Sequence, residues 1–339
     1  MSQTKPGDEN DDLKAGKASP NPMDGALPIP IVDGKRVPMP TVLTVRQLME
    51  ESAARATGEA RQEFCTTGVY ALDDKTGGLR PGHVWVFGAD TSWGKSSFLV
   101  MLADDNIRAG KKVLIVSAED APTMYGDRLL VRRSMVRAKA FRDRALSFEE
   151  KRRVQDKVRE AEPVPVYLDA RGKRAELVAA EVKLAVMKHG IDLVAYDYLQ
   201  EFRSSKNHQD RRNEVAEVAA ALRESIKTTG ITGIIFSQIT VQEGKKHPDK
   251  HSIRESRDVS NAAEAVLLGF TPEKPIISKK NGKEVAARGQ KCILIDKAKD
   301  GLRGVVALKW DNDSACFVSE PKPPGEYDEF DNFASDYEG

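Results

Sequence analysis

The chain has 339 residues, a length that suggests about two domains. Its 53 Lys and Arg residues against 52 Asp and Glu residues give a net charge of +1, which excludes a protein that coats nucleic acid through bulk positive charge. No apolar run approaches the ~20 residues that span a bilayer, and three widely spaced cysteines argue against a disulfide framework or a structural zinc site. We therefore expect a cytoplasmic protein without membrane attachment.

The first 64 residues differ in composition from the rest of the chain. Residues 1–40 hold seven of the 17 prolines and no aromatic residue, which predicts a disordered arm. In residues 41–64, the apolar side chains Val42, Val45, Leu48 and Met49 recur at helical spacing. This segment is predicted to be a linker helix, which packs either on a neighbouring copy or on its own domain.

Residues 65–320 alternate short apolar runs with longer amphipathic segments, the pattern of an α/β domain with a mainly parallel sheet. The first five runs are continuously apolar, as in strands that are covered on both faces. Short glycine-containing turns separate the last three, which predicts that this end of the sheet is antiparallel. The eight predicted strands are 83–89, 112–119, 164–170, 192–199, 233–239, 265–271, 290–297 and 305–311.

The first predicted strand leads into a phosphate-binding loop with alanine at its first position. A glycine lets the backbone approach phosphate, successive N–H groups and a helix N-terminus attract anions, lysine reaches the β- and γ-phosphates, and a serine hydroxyl binds Mg²⁺. The alternative is a chance Gly-Lys-Ser turn. The predicted nucleotide-binding residues are Ala89, Asp90, Thr91, Ser92, Trp93, Gly94, Lys95, Ser96 and Ser97.

Polar residues follow three further strands, where the sites of parallel sheets lie. Asp197 is placed to support Mg²⁺ together with Ser96, as a Walker B carboxylate does. Glu119 is predicted to polarise the attacking water, with Asp120 as the competing candidate. The amide of Gln238 is predicted to sense the γ-phosphate, or else to cap its strand.

These motifs together resemble the DnaB-type replicative helicase family of RecA-fold ATPases, over about residues 65–318. The resemblance begins with the segment Thr67–Gly82 and continues through the phosphate-binding loop, Ser117-Ala-Glu119 and Asp197-Tyr-Leu-Gln200. It reaches Ile253-Arg-Glu-Ser256, its most family-specific element, and ends with Ile295-Asp-Lys-Ala-Lys-Asp-Gly301.

The resemblance implies a RecA-like ATPase core that forms a hexameric ring, with ATP and Mg²⁺ bound between subunits. It implies that Lys95 and Ser96 bind phosphate and metal, that Glu119 is the catalytic carboxylate and that Gln238 couples nucleotide state to DNA. The family's Lys-x-Arg finger falls on Lys297 and Lys299. Lysine stands here where arginine is expected and lacks the planar fork of a guanidinium; Arg303 is a possible substitute, and a solvated basic hairpin is the alternative.

Two basic segments, the first at 201–212 and the second at 242–254, follow nucleotide-site strands and are predicted to grip the backbone of single-stranded DNA. Each carries four basic and two acidic residues, and neither is rich in aromatic residues. The alternative is that both are solvated loops. The predicted DNA-binding residues are Arg203, Lys206, Arg211, Arg212, Lys245, Lys246, Lys250 and Arg254.

The two ends of the chain are predicted to lie outside the ATPase domain. Because only 64 residues precede the resemblance, we expect a compact, phage-like form without the family's N-terminal collar domain. Residues 321–339 form a predicted disordered acidic tail in which Phe330 and Phe333 stand among six acidic groups. The tail either keeps the protein soluble, docks on a replication partner or occupies the protein's own DNA channel.

The sequence thus predicts an ATP hydrolase, a DNA helicase that translocates on single-stranded DNA and unwinds duplex during replication. Primase, polymerase or a helicase loader are candidate partners through the tails. The alternatives are a RecA-class recombination ATPase and a loading or regulatory ATPase that binds DNA without unwinding it.

Overall fold

The structure is a computed structural model, and it divides the chain into two units, residues 1–62 and 63–339, each of which is described by itself. The residues that the structure describes are 31–32, 35–36, 44–46, 49–50, 53, 64–206, 208–239, 248, 252, 257–278, 282–299 and 301–320.

The N-terminal unit contains a short antiparallel pair, β1 (Ile31–Val32) and β2 (Lys35–Arg36). The predicted disordered arm is therefore paired at these four residues, and the intervening sequence Asp33-Gly34 is a dipeptide that favours two-residue hairpin turns. Helical backbone occurs at residues 45–46, 49–50 and 53, inside the predicted linker helix. The rest of both predicted segments up to residue 63 lies outside the described residues.

Eight helices lie among the described residues of the second unit. Most carry apolar residues at helical spacing, and four end on a residue in the left-handed region that closes a helix. They are α1 (Tyr70–Thr76), α2 (Lys95–Arg108), α3 (Pro122–Ser134), α4 (Ala138–Arg142), α5 (Phe148–Arg159), α6 (Ala175–His189), α7 (Arg211–Thr229) and α8 (Arg257–Ala262).

An eight-stranded sheet forms the centre of the second unit, and its strands match the eight predicted runs to within a few residues. They are β3 (Val84–Ala89), β4 (Val113–Ser117), β5 (Tyr167–Asp169), β6 (Leu193–Asp197), β7 (Thr232–Gln238), β8 (Ala265–Phe270), β11 (Cys292–Ala298) and β12 (Gly304–Ala307). Two antiparallel hairpins lie outside this sheet. One pairs β9 (Ile276–Ile277) with β10 (Glu284–Ala286), and the other pairs β13 (Trp310–Asp311) with β14 (Cys316–Phe317).

The strand order is β12-β11-β8-β3-β7-β6-β4-β5. Every pairing from β8 to β5 is parallel, whereas β11 runs antiparallel to both β8 and β12. The predicted mainly parallel sheet with an antiparallel end is confirmed. Two details differ from the prediction. The connection between β8 and β11 is not a short turn, because it contains the hairpin β9–β10. The last run is divided, since residues 310–311 leave the sheet as β13.

Two apolar cores cover the two faces of the sheet. On one face, α6 and α7 contribute residues such as Val182 and Leu222. On the other face, α2 packs through Phe98 and Leu102 together with the aromatic ring of Phe87 from β3. Burial on both faces explains why the central strands are continuously apolar in sequence.

The register of the sheet separates two sets of candidate residues. Ala89, the last residue of β3, lies beside Gln238 of β7 and Gly269 of β8 at the carboxyl edge. At the amino edge, Trp85 pairs with Ala265, which in turn pairs with Ala298 of β11. The phosphate-binding loop and the basic turn after β11 therefore lie at opposite edges of the sheet.

Within the part of the chain that the structure describes, no helix combines the length and apolarity that crossing a bilayer requires. The acidic tail, residues 321–339, lies outside the described residues, so its predicted disorder stays a prediction.

Candidate nucleotide-binding site

The phosphate-binding loop joins β3 to α2 and is held by its own backbone and by one buried side chain. Trp93 N donates to Asp90 O at 3.1 Å, and Thr91 N donates to Asp90 Oδ1 at 2.7 Å. The Trp93 side chain is 3% exposed, and its Nε1 donates to Phe270 O at the end of β8. These contacts anchor Trp93 in the domain while Asp90, Thr91 and Ser92 stay exposed around it.

Gly94 directly precedes α2 as its N-cap residue and has a φ of 104°, a backbone conformation that residues with an L side chain rarely adopt. A Cβ atom there would lie 3.4 Å from the rings of Phe317 and Trp310. The hairpin β13–β14 therefore packs directly against the loop, and Ser97 Oγ donates to Ala315 O in its turn at 3.3 Å. Glycine meets both the backbone and the packing requirement, and α2 starts with its N–H groups aimed towards the loop.

Lys95 lies at the start of α2 between an anion and an aromatic ring. Its Nζ is 3.5 Å from Asp197 Oδ1 and 3.6 Å from the centre of the Tyr198 ring. Burial lowers the pKa of the Lys95 ammonium, and the carboxylates of Asp197 and Glu119 oppose that shift. A further anion such as phosphate would compensate for this desolvation, so the environment suits a lysine that binds phosphate.

Asp197, at the end of β6, is fully buried. Tyr125 of α3 donates its hydroxyl proton to Asp197 Oδ2 at 2.7 Å, and burial together with the Asp197 charge raises the pKa of that phenol, which keeps the proton in place. Asp197 Oδ1 has no hydrogen-bond donor among the described residues, although Lys95 is nearby.

An unsatisfied buried carboxylate oxygen is a suitable ligand or water acceptor for Mg²⁺, which is normally held by one or two carboxylates plus substrate phosphates. The described residues contain no cluster of three or more His, Cys, Asp or Glu side chains that would bind a metal unaided. Asp197 and the hydroxyl of Ser96 therefore fit a Mg²⁺ ion that arrives with a nucleotide.

Glu119 follows β4 at the same edge of the sheet and is exposed. Its backbone N–H and that of Asp120 both donate to Ser117 Oγ, at 3.3 and 3.0 Å, which shapes the turn. Partial burial raises the pKa of the Glu119 carboxyl; Asp197 also raises it, and Lys95 lowers it. Its competitor Asp120 is bound to Arg128 at 3.2 Å, so Glu119 is the better candidate base.

Gln238 ends β7 beside Ala89, and a second glutamine fixes its backbone. Gln238 N donates to Gln200 Oε1 at 3.1 Å, and Gln200 Nε2 donates to Ser237 Oγ at 2.9 Å. The guanidinium of Arg211, at the start of α7, donates to Gln200 O. Gln200 thus connects the end of β7 to the segment that carries the predicted DNA-binding cations.

The described residues of the first basic segment form ion pairs with the helix that follows it, α7. Arg211 and, at 3.8 Å, Arg203 form ion pairs with Glu214, and Lys206 forms one with Glu217. Arg212 is exposed. Three of the four predicted DNA-binding cations here are therefore paired with carboxylates of α7. The other four, Lys245, Lys246, Lys250 and Arg254, lie outside the described residues.

The basic turn after β11 lies at the opposite edge from the phosphate-binding loop. Lys297 Nζ donates to the carbonyls of Ser260 and Asn261 in α8, so this predicted finger residue caps a helix of its own domain. Lys299 is exposed, and its N–H donates to Glu264 O at 2.8 Å. Leu302 N donates to Lys75 O at 2.7 Å, which fixes the turn by its backbone.

The sequence profile of the DnaB-like helicase C-terminal domain matches residues 65–319, three quarters of the chain. The chain belongs to this family. The replicative DNA helicase DnaB of Haemophilus influenzae is 23% identical over 286 residues, a match that covers 80% of this chain and 56% of that protein. DnaB of Buchnera aphidicola subsp. Schizaphis graminum is 25% identical over 277 residues, covering 79% and 55%. The chain thus spans about half the length of these curated relatives.

Two solved structures, one of a DnaB-like replicative helicase and one of the ATPase domain of G40P, share the fold. A DnaB-like replicative helicase, described with its interactions with primase, aligns with a TM-score of 0.69 at 20% identity and covers 82% of this chain and 67% of that one. A solved ATPase domain aligns with a TM-score of 0.71 at 20% identity and covers 81% and 98%. The RecA-like ATPase fold predicted from the sequence is confirmed.

Three side chains at the site have no role in the sequence prediction. Tyr125 supports Asp197 from 72 positions away, and no local pattern marks it. Tyr198 and Gln200 directly follow Asp197, in the segment that carries the family resemblance. The contacts of Gln200 depend on how β6 and β7 lie side by side, and the contact of Tyr198 with Lys95 depends on the position of α2. The signal in the sequence was their position after a strand end.

Proposed function

We propose that this chain is the ATPase motor of a DnaB-like DNA helicase, which hydrolyses ATP between subunits and uses the energy to move along single-stranded DNA. The observation that carries the proposal is the cluster of Lys95, Asp197 and Glu119 at one edge of the sheet, with an exposed basic turn at the opposite edge. A single chain cannot bring both edges to one nucleotide. Two copies can.

In this mechanism the first copy binds the triphosphate. The N–H groups at Gly94 and the start of α2 donate hydrogen bonds to phosphate oxygens, and Lys95 contacts the β- and γ-phosphates. Ser96 and Asp197 hold Mg²⁺ at the same edge. When bound, Mg²⁺ neutralises charge on the β- and γ-phosphate oxygens. Tyr125 keeps Asp197 oriented through its hydrogen bond to Oδ2.

Glu119 acts as the general base in this scheme. Its carboxylate accepts a proton from the water whose oxygen forms the new bond to the γ-phosphorus, while the bond to the bridging oxygen breaks and ADP keeps that electron pair. A raised pKa makes the Glu119 carboxylate a stronger base than an ordinary glutamate. Lys299 of the neighbouring copy supplies positive charge to the γ-phosphate as a point charge, with Arg303 as a second candidate.

Gln238 is proposed to respond to the γ-phosphate and to pass that response to DNA. The physical link is Gln200. Its side chain forms hydrogen bonds with the end of β7, and its backbone carbonyl accepts a hydrogen bond from Arg211 at the start of α7. A shift of the β7 end is thereby transmitted to the first basic segment. The cations that grip DNA are proposed to be Arg203, Lys206, Arg211 and Arg212 here and Lys245, Lys246, Lys250 and Arg254 in the second loop.

Fork unwinding tests this function directly. Wild-type protein with ATP and Mg²⁺ should open a forked duplex, whereas wild type without ATP and Lys95→Ala with ATP should not. A matched control is Lys188→Ala, which removes an exposed lysine on α6 and should unwind like wild type.

A second candidate is a loading or regulatory ATPase that binds DNA without unwinding it. Two observations favour it: lysine replaces arginine at position 299, and three cations of the first basic segment are engaged in ion pairs. Rings that hydrolyse ATP on single-stranded DNA but leave the fork closed would support this second function.

A further inference from the structure

Helix α5 presents an outward face that is both basic and apolar. At 100° per residue, six of its side chains fall within an arc of about 120°. Phe148 is 86% exposed and Val158 is 57% exposed, unusual values for large apolar residues. We call this surface the α5 face, and its members are Phe148, Lys151, Arg152, Gln155, Val158 and Arg159.

The charge on this part of the molecule is strongly positive. Residues 137–159 contain nine basic and four acidic side chains, a net charge of +5 in a chain whose total is +1. Several of these cations have no ion-pair partner among the described residues. They are Lys139, Arg144, Lys151, Arg152 and Arg153. Cations left without partners beside an exposed phenyl ring favour a ligand that is acidic and aromatic.

The chain itself contains such a segment. It follows β14, which lies near α5, and the last described residue, Glu320, forms backbone hydrogen bonds with Gly68 and Tyr70. Residues 325–339 carry six acidic and no basic groups, and their four aromatic residues are spaced by three, three and four positions, as on one side of a helix. Cys316 of β14 belongs to the apolar cluster against which Val154 of α5 packs, and Ala138 N donates to Asp313 O at 2.8 Å. From Glu320, 19 residues reach at most ~65 Å, which is ample for a return to α5.

We propose that residues 325–339 dock on the α5 face of their own chain. The aromatic side chains cover Phe148 and Val158, and the carboxylates pair with Lys151 and Arg152. The competing occupant is the segment 41–60 of a second copy, which has apolar residues at helical spacing but a net charge of only −1. The tail matches the charge of the α5 face far better, so we assign the face to the tail.

Crosslinking in the full-length chain tests the proposal. Cys65, Cys292 and Cys316 are buried, so an exposed engineered cysteine is labelled selectively. Gln155→Cys lies at the centre of the α5 face and Ser335→Cys lies within the tail. With a short bismaleimide, this pair should give a crosslink within one chain, identified by peptide mapping and by unchanged mass on a denaturing gel.

The control pair replaces Gln155→Cys by Ala180→Cys, an exposed position on α6. We expect the Gln155→Cys pair to crosslink at least about fivefold more than the control pair, because binding raises the local concentration of the tail. Lys151→Glu with Arg152→Glu should reduce the crosslink to the control level, and 0.5 M salt should weaken it because exposed charges are screened. Lys188→Glu, an equally exposed reversal on α6, should leave it unchanged.

Three results would overturn the proposal. Equal crosslinking at positions 155 and 180 would show that the tail does not favour α5. A crosslink that is insensitive to Lys151→Glu with Arg152→Glu would show that the basic side chains of the α5 face do not bind the tail. A tail that crosslinks instead to a cysteine placed at Arg212 in the first basic segment, and is displaced by single-stranded DNA, would show that the tail occupies the DNA site.

Discussion

The two edges of the central sheet differ in how their charged groups are held. At the carboxyl edge, Lys95 and Asp197 are largely buried and leave one carboxylate oxygen without a hydrogen-bond donor. At the amino edge, the turn containing Lys299 is fixed by backbone hydrogen bonds while its basic side chains face solvent. The carboxyl edge therefore resembles a binding pocket. The amino edge presents exposed cations that are accessible to another molecule.

The distance between the edges makes this difference informative. Trp85 lies beside the basic turn and Ala89 beside the phosphate-binding loop. The two residues are four steps apart along β3, which is ~13 Å at the rise of a strand. Lys299 therefore does not serve the phosphate site of its own chain. In the proposed mechanism each edge provides half of a site, which requires that copies of the chain meet edge to edge. The following predictions test this comparison.

Lys95→Ala should have the largest effect, because it removes the cation that faces buried Asp197. Loss of a charge-stabilising group typically costs about 10²–10³ in kcat, and weaker nucleotide binding adds to this. Phosphate release under saturating ATP measures the effect, with Lys188→Ala as the control. Turnover within about twofold of wild type would remove Lys95 from the mechanism.

Glu119→Gln should keep nucleotide binding and slow hydrolysis by about 10²–10⁴, since an amide cannot accept the proton from water. The pH dependence gives a second test. Burial raises the pKa of Glu119 above its ordinary value of 4.5, and the base is active only when deprotonated. The rate of the wild type should therefore fall as the pH drops through a value above 4.5, and Glu119→Gln should lose that acid limb. Glu119→Gln with unchanged turnover would point to Asp120 instead.

Lys299→Ala probes the exposed edge and should lower turnover by roughly tenfold, less than an arginine finger would because lysine is a point charge. Lys299→Arg should retain or increase the rate. Parallel measurement of oligomeric state separates a loss of chemistry from a loss of assembly. If wild type, Lys299→Ala and Lys299→Arg hydrolyse ATP equally, the finger role belongs to another residue, with Arg303 the next to test.

Gln200→Ala should uncouple the carboxyl edge from DNA while the nucleotide site keeps its own side chains. Without the bonds to Ser237 and Gln238, basal hydrolysis should change by less than about twofold, whereas stimulation by single-stranded DNA should fall several-fold. Hydrolysis with and without an oligonucleotide gives both numbers. Equal loss of the two rates would indicate that Gln200 supports the nucleotide site and carries no coupling.

The smallest expected effects are those of single cations in the first basic segment. Arg212→Ala should reduce the slope of log affinity against log salt for single-stranded DNA by about 0.7, the value for one phosphate contact. Lys206→Ala should have a weaker effect, because its ammonium is already paired with Glu217. The reverse ranking would mean that DNA displaces Glu217 and that the ion pair is a resting arrangement.

Much of the fold was predictable from the sequence, since strands covered on both faces leave continuous apolar runs and the turn between β11 and β12 is short. The hairpin β9–β10 between β8 and β11 was not predicted, because its two strands are only two and three residues long. The candidate site was predictable where a residue ends a strand, as Asp197 and Gln238 do. Tyr125 was not, because its contact with Asp197 depends on how α3 packs. The contacts of Lys297 were not predictable for a similar reason, since its carbonyl partners in α8 are distant in sequence; its role as a finger residue stays a prediction.

Specific ATPase activity measured across a dilution series, with the assembly state followed by sedimentation in the same samples, tests the shared site most directly. The account predicts that activity per chain falls in step with the fraction of chains in assemblies, reaching background when all chains are single. A monomer that retains full activity per chain would contradict it.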